Sequence, residues 1–93
     1  MKLATVRIID KRWLSIKYIE KINKLANKYR CDIIFNYDGN KIANAKSIIS
    51  LMSIFDNIKK LPATIVIRFE GWSDAQEAFD TIISTMKETK FVL

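Results

Sequence analysis

The stretch Thr64-Ile65-Val66-Ile67-Arg68-Phe69 is the clearest β-strand in the sequence, rich in β-branched and aromatic side chains and bounded by Pro62 and by the Glu70-Gly71 turn. Three shorter stretches join it. Thr5-Val6-Arg7-Ile8 alternates as a half-buried strand does, Cys31 to Tyr37 is again β-branched and aromatic, and Asp38-Gly39 is a hairpin signal leading into a short strand around Lys41 to Ala43. Between them lie helical patterns. One starts at Ser15, with Ile19, Ile22, Ala26 and Tyr29 on one face and Lys17, Lys21, Lys24 and Lys28 on another. A second runs from Ser47 to about Asn57, with Ile48, Leu51, Met52 and Phe55 toward the core, and Pro62 excludes helix at Leu61. Ser73-Asp74-Ala75-Gln76 has the form of a capping box ahead of a third helix that buries Ala75, Ala78, Phe79, Ile82, Ile83 and Met86. The order is βαββαβα, and each helix has a single apolar stripe to bury. An α+β open-faced sandwich satisfies this, with a four-stranded antiparallel sheet and three helices on one face. The same order also fits ferredoxin-like domains.

At 93 residues the chain is expected to form one domain, 1–93. It carries 16 basic and 10 acidic residues, a net +6, which favours acidic partners: phosphorylated groups, nucleic acid or an anionic protein face. The lysine row of the first helix reads either as a phosphate-binding stripe or as a solvated face. Cys31 is the only cysteine, so an internal disulfide and a two-cysteine redox motif are excluded. No apolar run is long enough to span a membrane and Met1 to Val6 holds no signal-peptide core, so a cytoplasmic location is expected. The sequence contains no histidine. That removes phosphohistidine transfer, Ser-His catalysis and histidine zinc sites together, and no base, nucleophile or metal set is assembled elsewhere. Neither an enzyme nor a cofactor is expected.

The run Asn44-Ala45-Lys46-Ser47-Ile48-Ile49-Ser50-Leu51-Met52-Ser53 joins a helix-start signal to apolar residues off the buried stripe. This run resembles HPr, the small phosphocarrier family of the bacterial sugar phosphotransferase system, together with its regulatory paralogue Crh. The resemblance covers most of the chain and implies the HPr fold. In that family the serine matching Ser47 is phosphorylated by a dedicated kinase, and the phosphocarrier histidine lies in Gly-Leu-His-Ala-Arg-Pro. Here the matching stretch is Trp13-Leu14-Ser15-Ile16-Lys17-Tyr18, with Ser15 in the histidine's place. Lys17 keeps the charge of the family arginine and loses its planar fork.

The resemblance therefore implies a histidine-lacking, Crh-like member that is not a carrier. Its protein partner would be an HPr kinase or a regulator, met through Trp13, Lys17, Lys46, Ile48, Ile49 and Met52. Ser15 is suited to cap the first helix, and Ser47 reads either as a phosphorylation site or as a plain cap. Trp13 and Trp72 stand at loop-to-helix junctions, where each could anchor a partner or close the edge of the core. Phe55 to Lys60 replaces a shorter family turn, so the helix end or the loop after it is expected to be longer. A reading from another class is a basic domain that binds nucleic acid through an open sheet face bearing Arg7, Arg68 and Tyr37.

Overall fold

The computed structural model describes residues 1–88. The elements are β1 (Lys2–Ile8), a 3-10 turn (Lys11–Leu14), α1 (Ile16–Ala26), β2 (Asp32–Tyr37), β3 (Lys41–Asn44), α2 (Ile48–Asp56), β4 (Ala63–Glu70) and α3 (Ala75–Glu88). The strands form one sheet in the order β1-β4-β2-β3, and every pairing is antiparallel. In β4 the residues Ala63, Ile65, Ile67 and Phe69 are buried while Thr64, Val66 and Arg68 are exposed, because successive side chains leave a strand on opposite faces. Register carries that division across the sheet. Ile67 lies opposite Ala4 and Phe35, and all three are buried.

The helices cover this one face. They bury Ile19, Ile22 and Ala26 from α1, Leu51, Ile54 and Phe55 from α2, and Ala78, Ile82, Ile83 and Met86 from α3. Phe35 meets Phe55 with ring centroids 6.4 Å apart, and Phe69 meets Phe79 edge-on at 5.5 Å. The expected α+β sandwich is the fold observed. At the hairpin Asp38 and Gly39 both have positive φ, 60° and 78°, as the turn signal requires.

Several boundaries differ from the sequence reading. β1 begins at Lys2 because β4 extends to Glu70, so Arg68 and Phe69 pair with Leu3 and Lys2. The segment after Ile8 is a 3-10 turn. α1 stops at Ala26, and Tyr29 packs on the core from beyond the helix end. In α2 the buried face is turned toward Ile54, leaving Ile48 and Met52 half-buried, and the segment that follows is pinned by buried Ile58.

The capping box at Ser73 does not form. Helix α3 starts at Ala75, Ser73 is exposed, and the Gln76 amide donates to Asp80 Oδ1 at 2.9 Å. Asp74 instead bridges to another element. Its carboxylate accepts the Arg30 N–H at 2.7 Å and the Cys31 N–H at 3.0 Å, tying the start of α3 to the entry of β2. Arg30 also lies over the Trp72 ring at 5.2 Å. Gly71 closes the same corner with φ 92°, and a Cβ there would stand 3.1 Å from Asp32 Oδ2. Desolvation opposes the charge on Asp74, yet the Arg30 and Cys31 amides outweigh it and hold the carboxyl below its ordinary range. A depressed carboxylate contributes stability that is present above the unfolded-state pKa and lost as pH falls through the folded one. Asp74→Asn should therefore lower the urea midpoint at neutral pH, and the gap to wild type should close as pH drops below about 3.9. A gap independent of pH would show that the carboxylate charge is not what holds this corner.

Candidate functional site

The 3-10 turn and the start of α1 enclose a crevice of about 310 Å³, lined by Arg12, Ser15, Lys17, Tyr18 and Lys21. Asp10 shapes it. One carboxylate oxygen accepts the Arg12 N–H at 2.9 Å, while the other accepts Arg12 Nε and Nη2 at 3.0 and 2.6 Å, a forked pairing that fixes the guanidinium. That hydrogen-bonded pairing and the charge of Asp10 raise the pKa of Arg12 above its ordinary value. Tyr18 is backed by Trp13, their ring centroids 3.9 Å apart. Trp13 is only 3% exposed, which corrects its reading as a contact residue: the indole is part of the core, and a partner cannot reach it.

Ser15 occupies the N-cap position of α1 but makes no side-chain cap bond, in contrast to the capping role expected for it. Its N–H closes the preceding turn on the Arg12 carbonyl at 3.2 Å, and its own carbonyl accepts Tyr18 and Ile19. The side chain is exposed at the crevice, beside exposed Lys17.

Ser47 does cap its helix. Its Oγ accepts the Ser50 N–H at 3.3 Å, and its carbonyl accepts Leu51 at 3.1 Å. The turn leading to it is held from α1: Asn23 Nδ2 donates to the Ala45 carbonyl at 3.0 Å and Asn27 Nδ2 to the Lys46 carbonyl at 3.3 Å, while Asn44 Oδ1 accepts the Lys46 N–H at 2.9 Å. These asparagines were not singled out from sequence. The available signal was a pair four residues apart, flanking the apolar stripe of α1. Lys46, Ser47, Ile48 and Met52 are half-buried, and Ile49 projects with 78% exposure.

Lys17 lines the crevice, and Lys46 adjoins Ser47. Tyr37, at the end of β2, pairs with buried Ile65 and packs in part against the core, and it also lines a cavity on the helix-free face with Ile34, Val66 and Arg68. Arg68 there is paired with Glu70 at 2.9 Å. Buried Cys31 has its thiol pKa raised, first by burial and then by Asp74, which keeps it in the unreactive protonated form. Among the described residues no helix is long and apolar enough to cross a membrane, and no group of three or more ligating side chains forms a metal site.

A sequence model described as the PTS HPr component phosphorylation site matches residues 3–88. The chain belongs to the HPr family of the phosphotransferase system. HPr proteins are phosphocarriers rather than enzymes, and they act through other proteins of that system. Solved structures agree. A histidine-containing phosphocarrier protein of Mycoplasma is 30% identical over 95% of this chain and 94% of its own, with a TM-score of 0.82. HPr of Bacillus anthracis is 33% identical over 87% and 90%, TM-score 0.72. HPr-C-His of Thermoanaerobacter tengcongensis is 26% identical over 94% and 92%, TM-score 0.80. A search of curated proteins finds no match.

The burial of Trp13 makes a direct prediction. Trp13→Ala should destabilise the fold by about 3–5 kcal/mol, the cost of emptying a large aromatic site in a core. Denaturant unfolding measures it, and a change within ~0.5 kcal/mol, normal for a surface residue, would return Trp13 to the role of exposed anchor.

Proposed function

We propose that this chain is a cytoplasmic, single-domain HPr-family protein that regulates or binds other proteins and does not carry phosphate, with Ser15 where the family has its histidine and Ser47 as a phosphorylation site. The observation that carries the reading is the geometry at Ser47. A half-buried serine caps α2 with a 3.3 Å bond to Ser50 N–H, next to an isoleucine that is 78% exposed. A phosphate there would bring a charge of about −1.5 to −2 to a helix end rich in free N–H groups, where both the amides and the dipole favour it. Lys46 adds a cation nearby. The surface of Lys46, Ile48, Ile49 and Met52 would then be read by a partner through both charge and shape, the partner being an HPr kinase or a regulator. Lys17 and Ser15 mark a second contact area at the crevice.

The absence of histidine supports the other half of the reading. Phosphate relay requires an N–P bond of high transfer potential, and a serine ester does not supply one. Incubation with phosphoenolpyruvate and the general phosphotransferase enzyme should leave the protein unlabelled, and stoichiometric acid-labile label would overturn this. Ser15→His should restore little or no transfer, because Trp13, Lys17 and Tyr18 differ from the family motif as well. Carrier rates like those of an intact HPr would show that the loop is still competent.

An ATP-dependent HPr kinase should phosphorylate Ser47, with mass spectrometry placing one phosphate there and none in Ser47→Ala. Equal labelling of the alanine variant, or no label in either, would reduce Ser47 to a cap.

A further inference from the structure

We propose that Asn23 and Asn27 are positioning residues for phosphorylation at Ser47: from α1 they lock the two peptide groups ahead of that serine and so fix the direction in which its hydroxyl is offered. The inference rests on the reading of Ser47 as the phosphorylated residue and adds to it the part of the chain that presents it. The peptide group joining Ala45 to Lys46 is held at both ends, its carbonyl by Asn23 Nδ2 at 3.0 Å and its N–H by Asn44 Oδ1 at 2.9 Å. The next one is held likewise. Its Lys46 carbonyl accepts Asn27 Nδ2 at 3.3 Å, and its Ser47 N–H donates to the Asn44 carbonyl at 2.9 Å. Asn27 Nδ2 also donates to the Asn23 carbonyl at 2.9 Å, which anchors it on α1 while it reaches the turn. With the planes on both sides of Lys46 pinned, its two soft dihedrals have little freedom left.

Downstream, the Ser47 carbonyl accepts the Leu51 N–H at 3.1 Å, so Ser47 lies between a pinned peptide group and a helix. Its backbone is extended there, with φ −105° and ψ 112°, and those angles restrict the rotamer that carries Oγ. The cap bond from the Ser50 N–H uses one lone pair of that oxygen and leaves the O–H and the second lone pair for chemistry. In the transfer, Oγ bonds to the γ-phosphorus of ATP, the bond from that phosphorus to the bridging oxygen breaks to release ADP, and the hydroxyl proton passes to a base of the kinase. Such a step depends on placement, and a displacement of about 1 Å costs on the order of 100-fold. Both asparagines act on carbonyls of the turn, so their effect reaches Oγ through the backbone.

The test is the full chain carrying Asn23→Leu and Asn27→Leu together, which keeps branched side chains and removes both donors, read in two ways. Amide hydrogen exchange followed by NMR should quicken by roughly tenfold at Lys46 and Ser47, the scale of one hydrogen bond's net contribution, while the β4 amides keep their rates. With the ATP-dependent HPr kinase, kcat for Ser47 should fall by about tenfold or more and KM should move by less than about twofold, because Ile48, Ile49 and Met52 are still there to be bound. Asn57→Leu, which removes a 2.7 Å bond to the Ser53 carbonyl at the other end of α2, should leave both readouts as in wild type. Exchange unchanged at Lys46 and Ser47, or quickened equally in β4, would overturn the proposal, and so would a loss carried by KM alone. A labelled wild type with an equally labelled double variant overturns this role and leaves the Ser47 reading standing. A wild type that the kinase leaves unlabelled overturns that reading and this role with it.

Discussion

Everything in this fold hangs on β4 being hydrogen-bonded along both edges. The last strand in sequence lies inside the sheet, with β1 on one side and β2 on the other. The N-terminal strand can complete its pairing only once a segment some sixty residues later is in place, so β1 and β4 are committed to one another across most of the chain. The alternation within β4 then fixes which face of the other strands is apolar, and that face is where the amphipathic helices can be buried. Helix positions follow from the sheet. The openings of α1 and α2, where the candidate site residues lie, are set by polar tethers.

Those tethers are polar and short. Asp10 holds Arg12, Asn23 and Asn27 hold the turn before α2, and Asp74 holds the entry to β2. Each engages backbone groups or a guanidinium near a helix end, where the main chain has no partners of its own. In the first loop Trp13 and Tyr18 form a packed ring pair, their centroids 3.9 Å apart.

The fold was readable from sequence because each element carries a strong period: the β-branched run of β4, the stripe of Ile19, Ile22 and Ala26, and the Asp38-Gly39 turn. Ser47 was readable because a cap followed by an apolar run is a local signal. What sequence could not give were features made by contacts between distant segments. Asp74 sits inside what looks like a capping box, and only the proximity of Arg30 and Cys31 redirects its carboxylate. Trp13 has the same identity whether it anchors a partner or closes a core, and burial is a tertiary property. Arg12 is one charged residue among several in its loop, and only the folded chain shows it paired with Asp10 beside Lys17.

The grip of Asn23 and Asn27 on the carbonyls of Ala45 and Lys46 has a consequence for how information could leave this surface. A turn clamped to a neighbouring helix does not reshape readily when one side chain on it is altered, so a group added at Ser47 would change the local potential while the outline of the molecule stayed the same. Discrimination between the two forms would then have to reside in the reader, in cations or carboxylates that its own surface brings to the end of α2. Such a label is erased completely when the group is removed, since no refolded segment has to return.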